Sequence, residues 1–175
     1  KDRDLGMDDY VDKGFRAAVD AVAAIVPKRK MHAVGYCIGG TLLAIGAAAL
    51  ARDKDERLAS VTMLAAQADF SEPGELAFFI NPSQLALLEA TMHKNGVLES
   101  RQMGGAFALL RSQDLVWQPI IDNYLKGQRQ PMIDLMAWNA DGTRMPWRMH
   151  TEYLYRLYLD NELATNRFPV AGQRV

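Results

Sequence analysis

What the chain lacks narrows its function first. Its 175 residues contain a single cysteine, so no disulfide can form within it, which fits a reducing compartment. No apolar run reaches the roughly 20 residues that a helical membrane span needs, and no signal-peptide pattern opens the chain. Neither sign of charge dominates: 20 Lys and Arg stand against 21 Asp and Glu, a formal net charge of −1. That balance recommends neither nucleic acid nor an anionic membrane as a partner. The one basic run, Lys28-Arg29-Lys30, is expected in a solvated loop. Three histidines and one cysteine offer no metal-ligand spacing. Neither G-x-G-x-x-G nor the Walker pattern occurs, so Gly39-Gly40 is no nucleotide loop. No metal or cofactor is expected. Internal repeats, low-complexity tracts and flexible linkers are also missing. The chain opens on Lys rather than Met, and a fragment of a longer protein is expected.

What is present changes character near residue 70. Val11, Phe15, Ala18, Val19, Val22 and Ile25 recur at three- and four-residue spacing, one face of an amphipathic helix, with Asp8 and Asp9 at its start and Pro27 at its end. Met31 to Val34 fits a short buried strand, Ile38 to Ala51 a buried helix, and Leu58 to Ala66 a second buried strand. This order reads as part of a parallel α/β sheet, whose crossovers place helices on the faces. From residue 71 onward the pattern predicts helices and no strand. Asn81-Pro82 starts one that runs to Asn95-Gly96. A second ends at Gly127 with Pro119 in its first turn, where the missing N–H costs little. A third carries Trp147, His150, Tyr153, Leu154, Leu157 and Tyr158. The second half reads as a helical layer inserted after a strand.

The lone cysteine lies in Gly35-Tyr36-Cys37-Ile38-Gly39, a G-x-C-x-G between predicted strand and predicted helix. That is the nucleophile-elbow arrangement with Cys in the usual Ser position. A nucleophile at so sharp a turn adopts a sparsely populated backbone conformation, and glycines two residues to either side remove collisions with the flanking strand and helix. The helix that follows directs its first N–H groups toward the nucleophile, so the Ile38 amide can stabilise an oxyanion. The same terminus favours thiolate over thiol. Attack by a thiol on an acyl group gives a thioester, so exchange with another thioester is nearly balanced in energy. A cysteine elbow therefore suits acyl transfer from a thioester donor better than one-way ester hydrolysis. The competing reading is an inert buried cysteine beside glycines that merely allow close packing.

GYCIGGTLL (36 is its Tyr) followed by LASVTMLAAQADF resembles the elbow and next strand of polyhydroxyalkanoate synthases. SQDLVWQPIIDNYLKG, WNADGTRMP and MHTEYLYRLYLDNEL resemble that family's inserted cap, and DLGMDDYVDKGFRAAVDAV more loosely resembles the helix ahead of the elbow strand. The resemblance implies a partial α/β-hydrolase core over residues 1–70, a helical cap over 71–168, and the start of a return to the core at 169–175. It implies transfer of (R)-3-hydroxyacyl groups from coenzyme A thioesters, through a thioester on Cys37, to a growing polyester chain. Coenzyme A thioester is thus a substrate rather than a cofactor, the compartment is the bacterial cytoplasm at a polyester granule surface, and the cap is where such chains commonly pair as homodimers. The family's catalytic Asp and His lie after the cap, so the chain alone is expected to be inactive.

The other polar candidates read as structural. His32 belongs to the face of a strand, His93 to a helix C-terminus, and His150 to the apolar side of the last helix, as a satisfied packing residue or as a wall of the substrate path. Asp69 is expected to anchor the start of the insertion, and Asp141 to sit in a turn. Trp117, Trp138, Trp147 and the tyrosines from 153 to 158 would either form core or line an acyl tunnel. Two other functional classes stay open at this point: a non-catalytic interaction module, and a thioesterase or depolymerase-like hydrolase whose product would be a free acid.

Overall fold

A computed structural model describes residues 2–128, 131–142 and 144–175. Helix α1 runs through Met7–Asp9, Tyr10–Arg16 and Ala17–Ile25, its middle segment wound in wide π turns. It is opened by the Asp9 carboxylate, which accepts the Gly6 amide at 2.9 Å, an acidic group placed where the helix N-terminus favours it. Strand β1 (Met31–Tyr36), helix α2 (Ile38–Arg52) and strand β2 (Leu58–Leu64) form one β-α-β unit. The two strands pair in parallel, from Met31 opposite Leu58 to Tyr36 opposite Leu64.

Helix α2 is the buried element. Thr41, Leu43, Ile45, Ala49 and Leu50 are at most 5% exposed, and Gly46 lets the Phe15 ring of α1 lie directly on the helix, where a Cβ would collide with it. Both strands, by contrast, are apolar yet exposed. Val34 and Tyr36 of β1 and Val61, Met63 and Leu64 of β2 all lie open, which corrects the expectation of buried strands. The reason is geometric: among the described residues the two-stranded sheet has a free edge on each strand and no layer against its second face.

Past β2, a 3₁₀ segment at Gly74–Phe79 leads to helix α3 (Pro82–Asn95). The Asn81 side chain caps α3 by accepting the Gln84 amide at 3.0 Å, Pro82 takes the first turn, and Gly96 ends it with φ 81°. These three residues are the start and stop signals that the sequence carries. Helix α4 (Ser100–Leu110) was not legible, because Gly104-Gly105 breaks its apolar pattern. Helix α5 comprises Gln113–Trp117 and Ile120–Leu125, and here Pro119 falls in the middle rather than in the first turn. A proline removes the N–H that would bond four residues back and crowds that carbonyl; winding α5 in π turns on both sides accommodates it without ending the helix. Short α6 (Asp134–Ala140) precedes α7, which comprises Trp147–Glu152 and Tyr153–Leu159.

The last residues correct the expectation of no strand after residue 71. β3 (Pro169–Val170) and β4 (Gln173–Arg174) form a small antiparallel hairpin. Its turn residues Ala171 and Gly172 have φ 51° and 74°, the left-handed pair that tight hairpin turns require. Two-residue strands are too short to leave a periodic signal.

One hydrophobic cluster joins these pieces: Met7 and Val11 of α1, Ile45 and Ala49 of α2, Phe70, Met149 and Leu157 of α7, and Phe168 and Val170. The start of α1 docks on α7 through polar contacts as well. The Glu152 carboxylate accepts the Met7 amide at 2.7 Å, the Leu5 carbonyl accepts the Met149 amide at 3.1 Å, and the Trp147 indole donates to Asp4 at 3.0 Å. Among the described residues no helix is long and apolar enough to cross a membrane.

Candidate active site

Cys37 is the single residue between β1 and α2. Its backbone lies at φ 53°, ψ −128°, a region that side chains strain to occupy and that costs on the order of 1–3 kcal/mol. Three hydrogen bonds hold it there. Its amide donates to the Leu64 carbonyl of β2 at 3.0 Å, and its carbonyl accepts the amides of Gly40 at 2.9 Å and Thr41 at 3.2 Å. The thiol is left exposed. Because Gly40 and Thr41 turn their amides to Cys37, the N–H groups of Ile38 and Gly39 begin the helix without a partner in its ladder. They follow Cys37 directly, at the positive end of a 15-residue helix.

The glycines divide differently from the expectation. A Cβ on Gly35 would stand 2.5 Å from the Gly40 Cα and 2.7 Å from the Gly39 carbonyl oxygen. Gly40 in turn lies against Ala66, with no room for a side chain. Gly39 has nothing within 4 Å of where its Cβ would be. The clearance expected at Gly35 and Gly39 is therefore required, among the described residues, at Gly35 and Gly40. Gly39 is exposed, on a side of the unit that no layer covers among the described residues. Sequence reasoning also missed Ala65, whose φ of 48° turns the chain sharply out of β2. That turn brings Ala66 onto Gly40 and the Gln67 carbonyl within 2.6 Å of the Thr41 hydroxyl.

The histidines are engaged elsewhere. His32 pairs with Ser60 across β1 and β2, its Nδ1 2.7 Å from the Ser60 hydroxyl. His93, in the last turn of α3, meets the Trp147 ring edge-on at 4.9 Å, and its carbonyl accepts from Arg3. His150 is 4% exposed, and burial alone lowers its pKa to about 4. It packs in the interior as expected but is not satisfied, since Nδ1 has no hydrogen-bond partner among the described residues. Asp69 is an anchor: it accepts the Ser71 amide at 2.9 Å and the Asn161 side chain at 2.7 Å, and the first of these bonds does most to lower its pKa. Asn161 in turn accepts the Phe70 amide at 3.0 Å, tying the exit of β2 to the end of α7.

The aromatic candidates separate into two groups. Trp117 and Trp138 are 55% and 72% exposed, so they form no core here, and Trp138 stands on the surface while His150 lies inside. Tyr153 and Tyr158 pack against the hydrophobic cluster, their rings 6.2 and 4.7 Å from that of Phe70. Asp141 ends α6 in a turn, as the Asn-Ala-Asp-Gly chemistry predicts; position 143, the next in the WNADGTRMP stretch, lies outside the described residues. Among the described residues no group of three or more His, Cys, Asp or Glu could hold a metal ion.

This arrangement combines an exposed cysteine at a strained strand-to-helix turn with amides at a helix start that have no partner in the helix ladder. Three relatives carry the same segment. The chain is 41% identical over 95% of its length to the poly(3-hydroxyalkanoate) polymerase subunit PhaC of Rhizobium meliloti. It is 37% identical over 99% of its length to the poly(3-hydroxyalkanoate) polymerase of Methylorubrum extorquens, and 35% identical over 89% to the PhaC subunit of Cupriavidus necator. The chain is a homologue of the poly(3-hydroxyalkanoate) polymerases. It spans 27%, 29% and 27% of the length of these three polymerases. No family model matches it. The similarity to the polymerases runs through both the elbow and the helices that follow β2.

Proposed function

We propose that the chain is the elbow-and-cap part of a class I-like polyhydroxyalkanoate synthase of the α/β-hydrolase superfamily, with Cys37 as its nucleophile. The observation that carries this reading is the backbone of Cys37, strained at φ 53°, ψ −128° with its thiol exposed at the start of α2. Backbone strain of this kind concentrates at active sites, where it fixes the position of the reacting group.

The chemistry follows from that position. The sulfur attacks the carbonyl carbon of an (R)-3-hydroxyacyl-coenzyme A thioester, and the Ile38 N–H stabilises the oxyanion. The intermediate collapses by breaking the bond to coenzyme A, which leaves as the thiol, and the acyl group stays on Cys37. The hydroxyl oxygen of another hydroxyacyl unit then attacks a thioester carbonyl, forming an ester and releasing a cysteine thiol. The proton transfers belong to a base outside this segment, the family's His with its Asp, because His32, His93 and His150 are each held elsewhere. The isolated chain is accordingly proposed to be inactive.

The uncovered sheet supports the same reading. An apolar groove of roughly 610 Å³, lined by Phe15, Val22, Val34, Gly39 and Leu42 among others, runs along the free side of β1. In a complete hydrolase core further strands would fill it, giving residues 1–70 as core, 71–168 as cap and 169–175 as the return. The exposed Trp117, Tyr124, Leu125 and Trp138 suit pairing of two caps, and cytoplasmic work at the polyester granule surface follows from the substrate and product.

The test uses the full-length protein that carries this segment. Incubation with 3-hydroxybutyryl-coenzyme A should release coenzyme A and deposit insoluble polyester, and Cys37→Ala should abolish both. Unimpaired activity of that variant would remove Cys37 from the mechanism. Release of free 3-hydroxybutyrate without polymer would identify a thioesterase instead.

A further inference from the structure

Thr41 stands one turn into α2 and is 1% exposed. A threonine inside a helix commonly turns its hydroxyl back to the carbonyl four residues earlier. Here that carbonyl belongs to Cys37 and is taken by the amides of Gly40 and Thr41. The Thr41 hydroxyl donates instead to the Gln67 carbonyl at 2.6 Å, across to the turn that leaves β2. Among the described residues it is the one side-chain hydrogen bond between α2 and that turn. The turn bears on the elbow at two points. Leu64, the last residue of β2, accepts the Cys37 amide at 3.0 Å, and Ala66 lies on Gly40. Tyr36 and Leu64 are paired, so the residues that follow them, Cys37 and Ala65, leave the sheet together, at φ 53° and 48°. Backbone strain of this kind persists only where the surroundings over-determine it.

Resting on the reading of Cys37 as acyl carrier, we propose that Thr41 is a positioning residue for the acylation of Cys37: its hydroxyl pins the 65–67 turn to the start of α2 and so holds the nucleophile in its strained conformation. Without the hydroxyl the Gln67 carbonyl loses its donor, and the strained Ala65 is free to relax. Leu64 and Ala66, on either side of it, move with it. The Cys37 amide follows the Leu64 carbonyl that it bonds, which shifts the sulfur against the Ile38 N–H. Attack and oxyanion stabilisation act on the same carbonyl group, so a small displacement of one against the other slows the reaction. Thr41 is itself buried and bonds only protein groups, so its hydroxyl serves the chemical step and not the binding of the donor.

The experiment follows single-turnover acylation of Cys37 by 3-hydroxybutyryl-coenzyme A, read by intact mass in the full-length protein. Two pairs isolate the hydroxyl: the parent against Thr41→Val, which keeps the shape, and Thr41→Ser against Thr41→Ala, which share the loss of the methyl group. Loss of one neutral hydrogen bond predicts a ~3- to 10-fold lower saturating rate for Val than for the parent and for Ala than for Ser. The donor concentration that gives half the saturating rate should stay within about twofold throughout. Saturating rates that agree within about twofold inside each pair would make Thr41 a packing residue and overturn the proposal, whatever happens to the unfolding midpoint. A loss confined to the half-saturating concentration would overturn it as well, by assigning the hydroxyl to donor binding. If Thr41→Val does not fold, the Ser and Ala pair decides alone. If the parent takes up no acyl group on Cys37, the nucleophile assignment fails, and the role of Thr41 with it.

Discussion

His150 makes the stability of this chain depend on pH in a calculable way. The imidazole is 4% exposed and its Nδ1 has no partner among the described residues, so charging it means desolvating a cation in the interior. Burial lowers its pKa to about 4 from the usual 6.5. The unfolded chain takes up the proton as pH falls through about 6.5, whereas the folded chain resists until about 4. The stability present above pH 6.5 is thus lost progressively as pH falls through that window. At ~1.36 kcal/mol per pKa unit the full loss is about 3 kcal/mol, of which about 2 kcal/mol is gone by pH 5. Carboxylates contribute to acid unfolding too, so the measurement is a difference: urea unfolding followed by tryptophan fluorescence at pH 7.5 and 5, for the parent and His150→Leu. The stability gap between the two proteins should move by about 2 kcal/mol toward the variant at pH 5. A gap that stays constant to within about 0.5 kcal/mol would show that His150 gains a proton-accommodating partner, and the assignment of a neutral buried imidazole would be refuted.

Two further outcomes test the elbow as a structural device. Gly35→Ala drives a methyl group into the backbone of Gly39 and Gly40 and should cost about 3 kcal/mol or more, whereas Gly39→Ala meets open space and should be neutral or stabilise by up to ~1 kcal/mol through helix propensity; equal losses in denaturant midpoint would contradict the observed division of the glycines. Cys37→Gly relieves the φ of 53° and should raise unfolding stability by about 1 kcal/mol after the added chain entropy of glycine is subtracted, while removing all acyl uptake in the full-length protein; a destabilised Cys37→Gly would mean that the turn is unstrained.

The amino-acid sequence by itself determined the local events, because each depends on residues a few positions apart. Asn81, Pro82 and Gly96 bound α3 through a cap, a fixed φ and a left-handed exit. Gly35-Tyr36-Cys37 marked the strand-to-helix turn, and the apolar runs marked β1, α2 and β2 in their order. Only the tertiary structure decided what depends on partners distant in sequence. Gly40 rather than Gly39 is the tight glycine because Ala66, 26 positions away, turns onto it at Ala65. His150 is buried with no hydrogen-bond partner for Nδ1 among the described residues, an outcome set by what packs around α7 and recorded by no pattern within it. Trp117 and Trp138 share a helical setting with Tyr153 and Tyr158, yet the former are exposed and the latter packed, since helical periodicity gives a face without saying what covers it. The apolar strands β1 and β2 carry side chains fit for burial on both faces, and how much of each face is covered is set by the number of layers the fold stacks upon them.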